Sequence, residues 1–216
     1  METNQEHPVL HRAAFNQAWS RVGGTPSSSA FQSLEARYRE PHRAYHNAEH
    51  IWECLSWHEK VRKLVERSDE LTLALFFHDA VQAPGKADNE SASASLFQQL
   101  ARSAGIPGAT TERVAQLIHS TADHTSAQGD AAVLSDIDLA ILGSSPTRYQ
   151  RYEKDIRQEY KHVPGAMYRA GRAHVLRRFL ERQSIYHTPY FANRLELQAR
   201  TNLLHALTVL EPGGDR

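Results

Sequence analysis

The sequence has only one cysteine, Cys54, in 216 residues. No disulfide can form within the chain, and a reducing compartment is expected. It has no excess of charge either: 25 basic residues balance 25 acidic ones, which argues against a general electrostatic grip on nucleic acid. No apolar run approaches the roughly 18 residues of a membrane span. The opening METNQEHPVL lacks a basic stretch followed by an apolar core. The expectation is a cytoplasmic protein with neither a membrane nor a nucleic-acid partner. Strand-like alternation of apolar and polar residues is also missing. What the chain does have is thirteen histidines, a surplus that points to metal or acid–base chemistry.

Helical periodicity runs through the whole sequence. A first helix is expected over about 9–22, ending at Gly23-Gly24, and a second, capped by Ser27-Ser28-Ser29, to about Arg39. A third starts near Pro41 and carries Ile51, Leu55, Val61 and Leu64 on its apolar face. Ser68 is expected to cap the stretch DELTLALFFHDAV, with Asp69 and Glu70 at the positive end of the helix dipole. QAPGKADN reads as a loop. Helices follow over about 90–104, stopped by Gly105, over about 111–123, and over about 131–142, stopped by Gly143. Ser145-Pro146, Pro164 and Thr188-Pro189 open the last three, since proline is tolerated in a first turn. With no repeat, low-complexity tract or linker, the chain reads as one all-α domain of about eight to ten helices over 1–216.

Three interruptions of these helices carry chemistry. His46 and His50 in YHNAEH are four apart, the spacing that stacks side chains on one helical face. An apolar run ends in His78-Asp79, where a charge is costly to bury unless paired or bound to metal. In LSDIDLAILG, Asp136 and Asp138 break another apolar helix. Two imidazoles and two carboxylates suit a divalent ion such as Mn, Fe, Co, Ni or Zn. Cys54 lies one turn after His50 but reads as a small buried apolar residue. Arg43, three before His46, has a planar fork that matches phosphate oxygens. Glu90 opens the helix after the QAPGKADN loop, and His119 and His124 lie five apart in LIHSTADH, too far round a helix to share one ion easily.

The order H…HD…D on an all-α chain resembles the HD superfamily of metal-dependent phosphohydrolases, with the match running from about Arg43 to Gly143. The C-terminal third is similar to a bacterial branch of predicted HD phosphohydrolases. Residue by residue, the resemblance implies His50, His78, Asp79 and Asp138 as metal ligands. It implies one divalent ion, Mg included, with a second compatible, and makes Asp136 a supporting or capping residue. YHNAEH also resembles the opening motif of cyclic-nucleotide phosphodiesterases, which implies that His46 gives a proton to the leaving oxygen. Glu90 or His124 then manages protons, and Arg43, Asn47 and Asn89 are expected to touch substrate. Tyr186, His187, Arg200 and Asn202 read as core or surface residues.

The reading that follows is hydrolysis of a phosphomonoester, phosphodiester or pyrophosphate, with a nucleotide the favoured substrate and a small phosphate ester the partner. Two alternatives stand beside it: a di-iron oxygenase of the same superfamily, and a catalytically silent protein that binds metal or nucleotide for regulation.

Overall fold

Leu71–Phe77 is apolar but for Thr72, and every residue in it is buried, so a helix built from it must be covered on all sides. The computed structural model, which describes residues 9–25, 28–125 and 128–211, does this with other helices. Ten α-helices follow in chain order: α1 (Arg12–Arg21), α2 (Ser28–Tyr38), α3 (Ala48–Val61), α4 (Ser68–Phe77), α5 (Asn89–Ser103), α6 (Gly108–His119), α7 (Gly129–Asp138), α8 (Pro146–Glu159), α9 (Gly165–Leu180) and α10 (Pro189–Leu210). Among the described residues there is no strand, and no helix is long and apolar enough to cross a membrane. The all-α expectation holds. α4 is the central rod, contacted by α1, α3, α5, α6 and α7. Phe15, Trp19, Phe76, Phe77 and Phe97 pack around it with ring centroids 5.1–6.4 Å apart. Each of these large side chains contributes about 1.5–3 kcal/mol by leaving water.

Helix direction is what places the site. The Asp130 carboxylate, at the start of α7, accepts the backbone N–H groups of Glu66 and Arg67 just before α4, at 2.8 and 2.9 Å. The two helices thus begin together, and each is ten residues long, about 15 Å at the α-helical rise. They therefore end at the same level. α3 runs the other way: His58 in its last turn meets Ser68 at the head of α4, 3.2 Å apart. Its first turn, with His50, consequently lies beside the tails of α4 and α7.

The structure moves several boundaries. α3 does not start near Pro41: residues 40–46 turn, Asn47 is the N-cap, and the helix opens at Ala48. His46 therefore precedes the helix rather than sharing a helical face with His50. Ser68 is the first residue of α4, not its cap, because Asp130 takes the preceding N–H groups from sixty residues away. α4 stops at Phe77, with His78 as its C-cap. α6 ends at His119 because the hydroxyls of Ser120 and Thr121 bond back to the carbonyls of Leu117 and Ile118. α7 ends at Asp138 and tightens into a 3₁₀ turn, Leu139–Gly143. Of the serine cap proposed for α2, Ser27 lies outside the described residues and Ser28 begins the helix. Prolines 146 and 189 do open α8 and α10.

Gly143 ends the 3₁₀ turn that follows Asp138, and α10 crosses directly over it. A Cβ there would sit 2.6 Å from Leu195 Cβ and 2.8 Å from the Leu195 carbonyl oxygen. Backbone cannot yield as a side-chain tip does, so Gly143→Ala should destabilise the fold by about 1–3 kcal/mol, the usual cost of overpacking. A denaturant midpoint unchanged from the parent would refute this reading of the α10 contact.

Candidate metal centre

Four side chains from three directions meet where α4 and α7 end and α3 begins. His50 Nε2 lies 3.1 Å from His78 Nε2, 3.1 Å from an Asp138 oxygen and 3.4 Å from an Asp79 oxygen. His78 Nε2 lies 3.1 Å from the same Asp79 oxygen and 3.4 Å from Asp138. One donor atom from each residue falls within 4.8 Å of all the others. An ion about 2.0–2.2 Å from each donor sets neighbouring donors about 2.8–3.6 Å apart, and the His–His and His–Asp distances, 3.1–3.4 Å, fall in that range. His78 and Asp79, though adjacent in sequence, reach one point because they sit at a helix end: His78 caps α4 and Asp79 has left it.

The surroundings favour positive charge at that point. Both histidines are buried, and the negative ends of the α4 and α7 dipoles point toward it. Nδ1 of His78 is used on the Leu75 carbonyl at 2.9 Å, which leaves Nε2 of the neutral ring with a lone pair facing the centre. Burial raises the carboxyls of Asp79 and Asp138, but the neighbouring imidazoles, His78 foremost, outweigh it, and both groups stay ionised well into acid. Burial likewise lowers His50 and His78, yet Cys54 and Tyr45, then hydrogen bonds to Asp138 and Asp79, draw His50 above the ordinary histidine value, and the charges of Asp79 and Asp138 do the same for His78. Two partly buried carboxylates held this close to the same point would repel one another without a counter-charge. The donor set fits a divalent cation.

Above the four donors opens a cleft of about 390 Å³ lined by His46, Asp79, Gln82, Lys86, Asn89, Glu90, His124 and Asp138, with α8 and α9 supplying the far wall. Glu90 sits in the first turn of α5, half-buried, with no hydrogen-bond or ion-pair partner for its carboxylate among the described residues. Ser93, three residues on, latches this helix to the turn after Asp79 by accepting the Val81 N–H at 2.9 Å. His124 adopts φ 51°, a left-handed conformation uncommon outside glycine. Arg182 and His187 hold it there by donating to its carbonyl. Its Nε2 lies 3.5 Å from the second oxygen of Asp138, and burial lowers its pKa.

Three expected substrate contacts turn out otherwise. Arg43 is no phosphate clamp. Its guanidinium is fully buried and donates to Glu40 and to the carbonyls of His46, Asp79 and Ala80, lacing the segment before α3 to the turn after α4. Asn47 caps α3, accepting the Glu49 N–H and donating to the Ala44 carbonyl. Asn89 lines the cleft, but its amide is occupied in shaping the rim loop through Gln82 and Ala83. Asp136 is the capping residue expected of it: its carboxylate takes the His187 and Thr188 N–H groups and the Thr188 hydroxyl, fixing the start of α10. His119 is exposed at the end of α6 and is not among the four donors or the cleft lining. Cys54 is buried behind His50 and outside the donor set. Tyr186, Arg200 and Asn202 bond to backbone carbonyls of the C-terminal half, and none lines the cleft.

The sequence reading missed Glu159 altogether. Its side chain is completely buried, and one oxygen accepts the backbone N–H groups of Tyr45 and His46 at 2.7 and 2.9 Å. The other lies 2.6 Å from His46 Nδ1. Burial raises this carboxyl, but His46 outweighs it and the net shift is downward. The signal was there to be read: the buried positions of α8 are Tyr149, Tyr152, Ile156 and Glu159, a 3-4-3 apolar stripe whose last place holds an acid. The carboxylate engages Nδ1 of His46 and leaves Nε2 as the nitrogen available to the cleft.

Compared with known proteins, the chain matches no family model, no curated protein and no solved structure.

The site's geometry makes a test by metal content direct. Purified protein should carry close to one tightly bound divalent ion per chain, counted by elemental analysis, and His50→Ala, His78→Ala, Asp79→Ala and Asp138→Ala should each lose it. His46→Ala should keep it, because His46 bonds to Glu159 and is not one of the four donors. Full occupancy after His78→Ala and Asp79→Ala together would overturn the site.

Proposed function

We propose that the protein is a metal-dependent phosphohydrolase of the HD type, acting on a small phosphate ester with a nucleotide as the favoured substrate. One observation carries the reading: His50, His78, Asp79 and Asp138 converge on one point at the floor of a cleft that also presents His46, Glu90 and His124. A divalent ion held by the four donors would polarise a phosphoryl oxygen and bring a bound water toward hydroxide near neutral pH. The remaining chemistry belongs to the chain. Glu90, with no partner for its carboxylate, is placed to take a proton from water entering the cleft. His124 steadies Asp138 from the side away from His50. His46, oriented by Glu159, offers its second ring nitrogen to the leaving oxygen. A histidine whose one nitrogen is fixed by a carboxylate can keep its other nitrogen aimed through a turnover.

Two substitutions test the proton assignments. Glu90→Gln keeps the shape and removes the basicity, so turnover should fall roughly 10²–10⁴-fold, with metal content and helicity unchanged. Near-parental turnover would return Glu90 to a plain helix-start residue.

A general acid matters most for a poor leaving group such as a ribose hydroxyl, and little for nitrophenolate. His46→Ala should therefore slow a natural phosphate ester far more than p-nitrophenyl phosphate. Glu159→Gln should shift the same ratio in the same direction by a smaller amount. Equal losses on both esters would mean that His46 positions phosphate instead of supplying a proton.

A further inference from the structure

The cleft's charges are segregated. Its lining holds four carboxylates, Asp79, Glu90, Asp123 and Asp138, and four cations, Lys86, Arg172, Arg178 and Arg182. They cancel in number but not in place: Asp79 and Asp138 lie on the floor with the histidines, whereas Lys86 and Arg178 are exposed. Two of the cations already have work. Arg172 forms a forked pair with Glu153 at 2.7 and 3.1 Å, and Arg182 donates to the carbonyls of Asp123 and His124. Asp123 is likewise occupied, its oxygen taking the N–H and hydroxyl of Thr125. Lys86, in the rim loop, and Arg178, on α9, have no ion-pair or hydrogen-bond partner for their side chains among the described residues.

A second observation points the same way. Arg178, in the last turn of α9, and Arg182, two residues past its end, are like charges close enough to act on one another. Arg182 feels this: burial lowers its pKa, Arg178 lowers it further, and Asp123 opposes both. The guanidinium carbon of Arg182 lies over the Phe179 ring, 4.7 Å from its centroid. Ile156, Tyr160 and Val175 extend that apolar wall within the same cleft. Two neighbouring guanidinium groups and a lysine around a partly apolar cleft make a receptor for an anion that the metal centre does not itself hold.

We infer that the substrate carries a second phosphate group besides the one presented to the metal centre, and that Lys86 and Arg178, edged by Arg182, bind it. The part of the substrate between the two groups then lies against Ile156, Tyr160 and Phe179. This rests on the phosphohydrolase reading and narrows it to phosphate esters with two separate phosphoryl groups. Guanidinium and ammonium groups with no partner in the protein give up only water when they take up phosphate, and the charge-assisted hydrogen bonds they then make are stronger than neutral ones.

The test is equilibrium binding by calorimetry on the metal-loaded full chain, comparing adenosine 5′-monophosphate with adenosine 3′,5′-bisphosphate and ADP. The 3′,5′-bisphosphate, whose phosphoryl groups are separate, should bind about 10–100-fold more tightly than the monophosphate, and ADP, whose two groups are joined, should gain less. In Lys86→Ala/Arg178→Ala that ratio should collapse toward one. Both residues are exposed, and circular dichroism of the variant checks that it folds. Equal affinity for all three compounds, or a ratio untouched by the double substitution, would overturn the subsite while hydrolysis of a monophosphate still upheld the activity. Metal-loaded protein that binds none of the three and hydrolyses no phosphate ester would overturn both.

Discussion

Two carboxylates and two imidazoles are held within 4.8 Å of one another at a largely buried point, and a positive charge is needed there. This is the constraint on which the rest depends. Coulomb attraction grows as the local dielectric falls, and so does the penalty for leaving a charge unanswered. The fold satisfies the geometry before any ligand arrives. Asp130 starts α4 and α7 level with one another, and the His58–Ser68 contact sets α3 antiparallel to them. All the donors then appear at one end of the three helices. Arg43 closes the arrangement from outside by tying the carbonyls of His46, Asp79 and Ala80 together.

Around that point the residues divide into those that set positions and those that are free to act. Asp136 fixes the start of α10, Asn47 the start of α3, Asn89 the rim loop and Glu159 the orientation of His46. Each uses its polar atoms on the protein itself. Glu90, Lys86 and Arg178 use theirs on nothing within the described residues. A polar side chain that lines a cleft and has no partner in the protein is the one a ligand can engage by displacing only water, with no internal bond broken. This distinction, more than proximity to the metal centre, separates Glu90 from Asn89 although they are neighbours.

Much of this was legible in the chain. The apolar run before His78-Asp79 announced a buried helix, and polar residues interrupting helices marked His46 and His50, His78-Asp79, and Asp136 and Asp138, while the choice of His50 and Asp138 came from the family resemblance. Prolines 146 and 189 marked the heads of α8 and α10. What failed did so for physical reasons. The start of α3 was placed too early because propensity does not register Arg43, whose hydrogen bonds hold residues 43–46 in turns against the α4–α5 connection. The cap before α4 was assigned to Ser68 because the true acceptor, Asp130, lies sixty residues away and only the tertiary fold brings it near. Arg43 itself looked like a phosphate ligand because a guanidinium binds carbonyl oxygens and phosphate oxygens with the same fork. The cations of α9 were invisible as a site, since arginine on an amphipathic helix is ordinarily solvated.

The central claim joins a metal to a hydrolytic activity, so the direct measurement follows both in one titration. Protein stripped with a chelator would be reloaded stepwise with Mn²⁺ while bound metal and phosphate release from a nucleotide are recorded together. The account predicts no release from the stripped protein, then a rise that tracks occupancy of the His50, His78, Asp79 and Asp138 site. Release that is undiminished without metal, or a fully loaded protein that frees no phosphate from any ester in a broad panel, would contradict it.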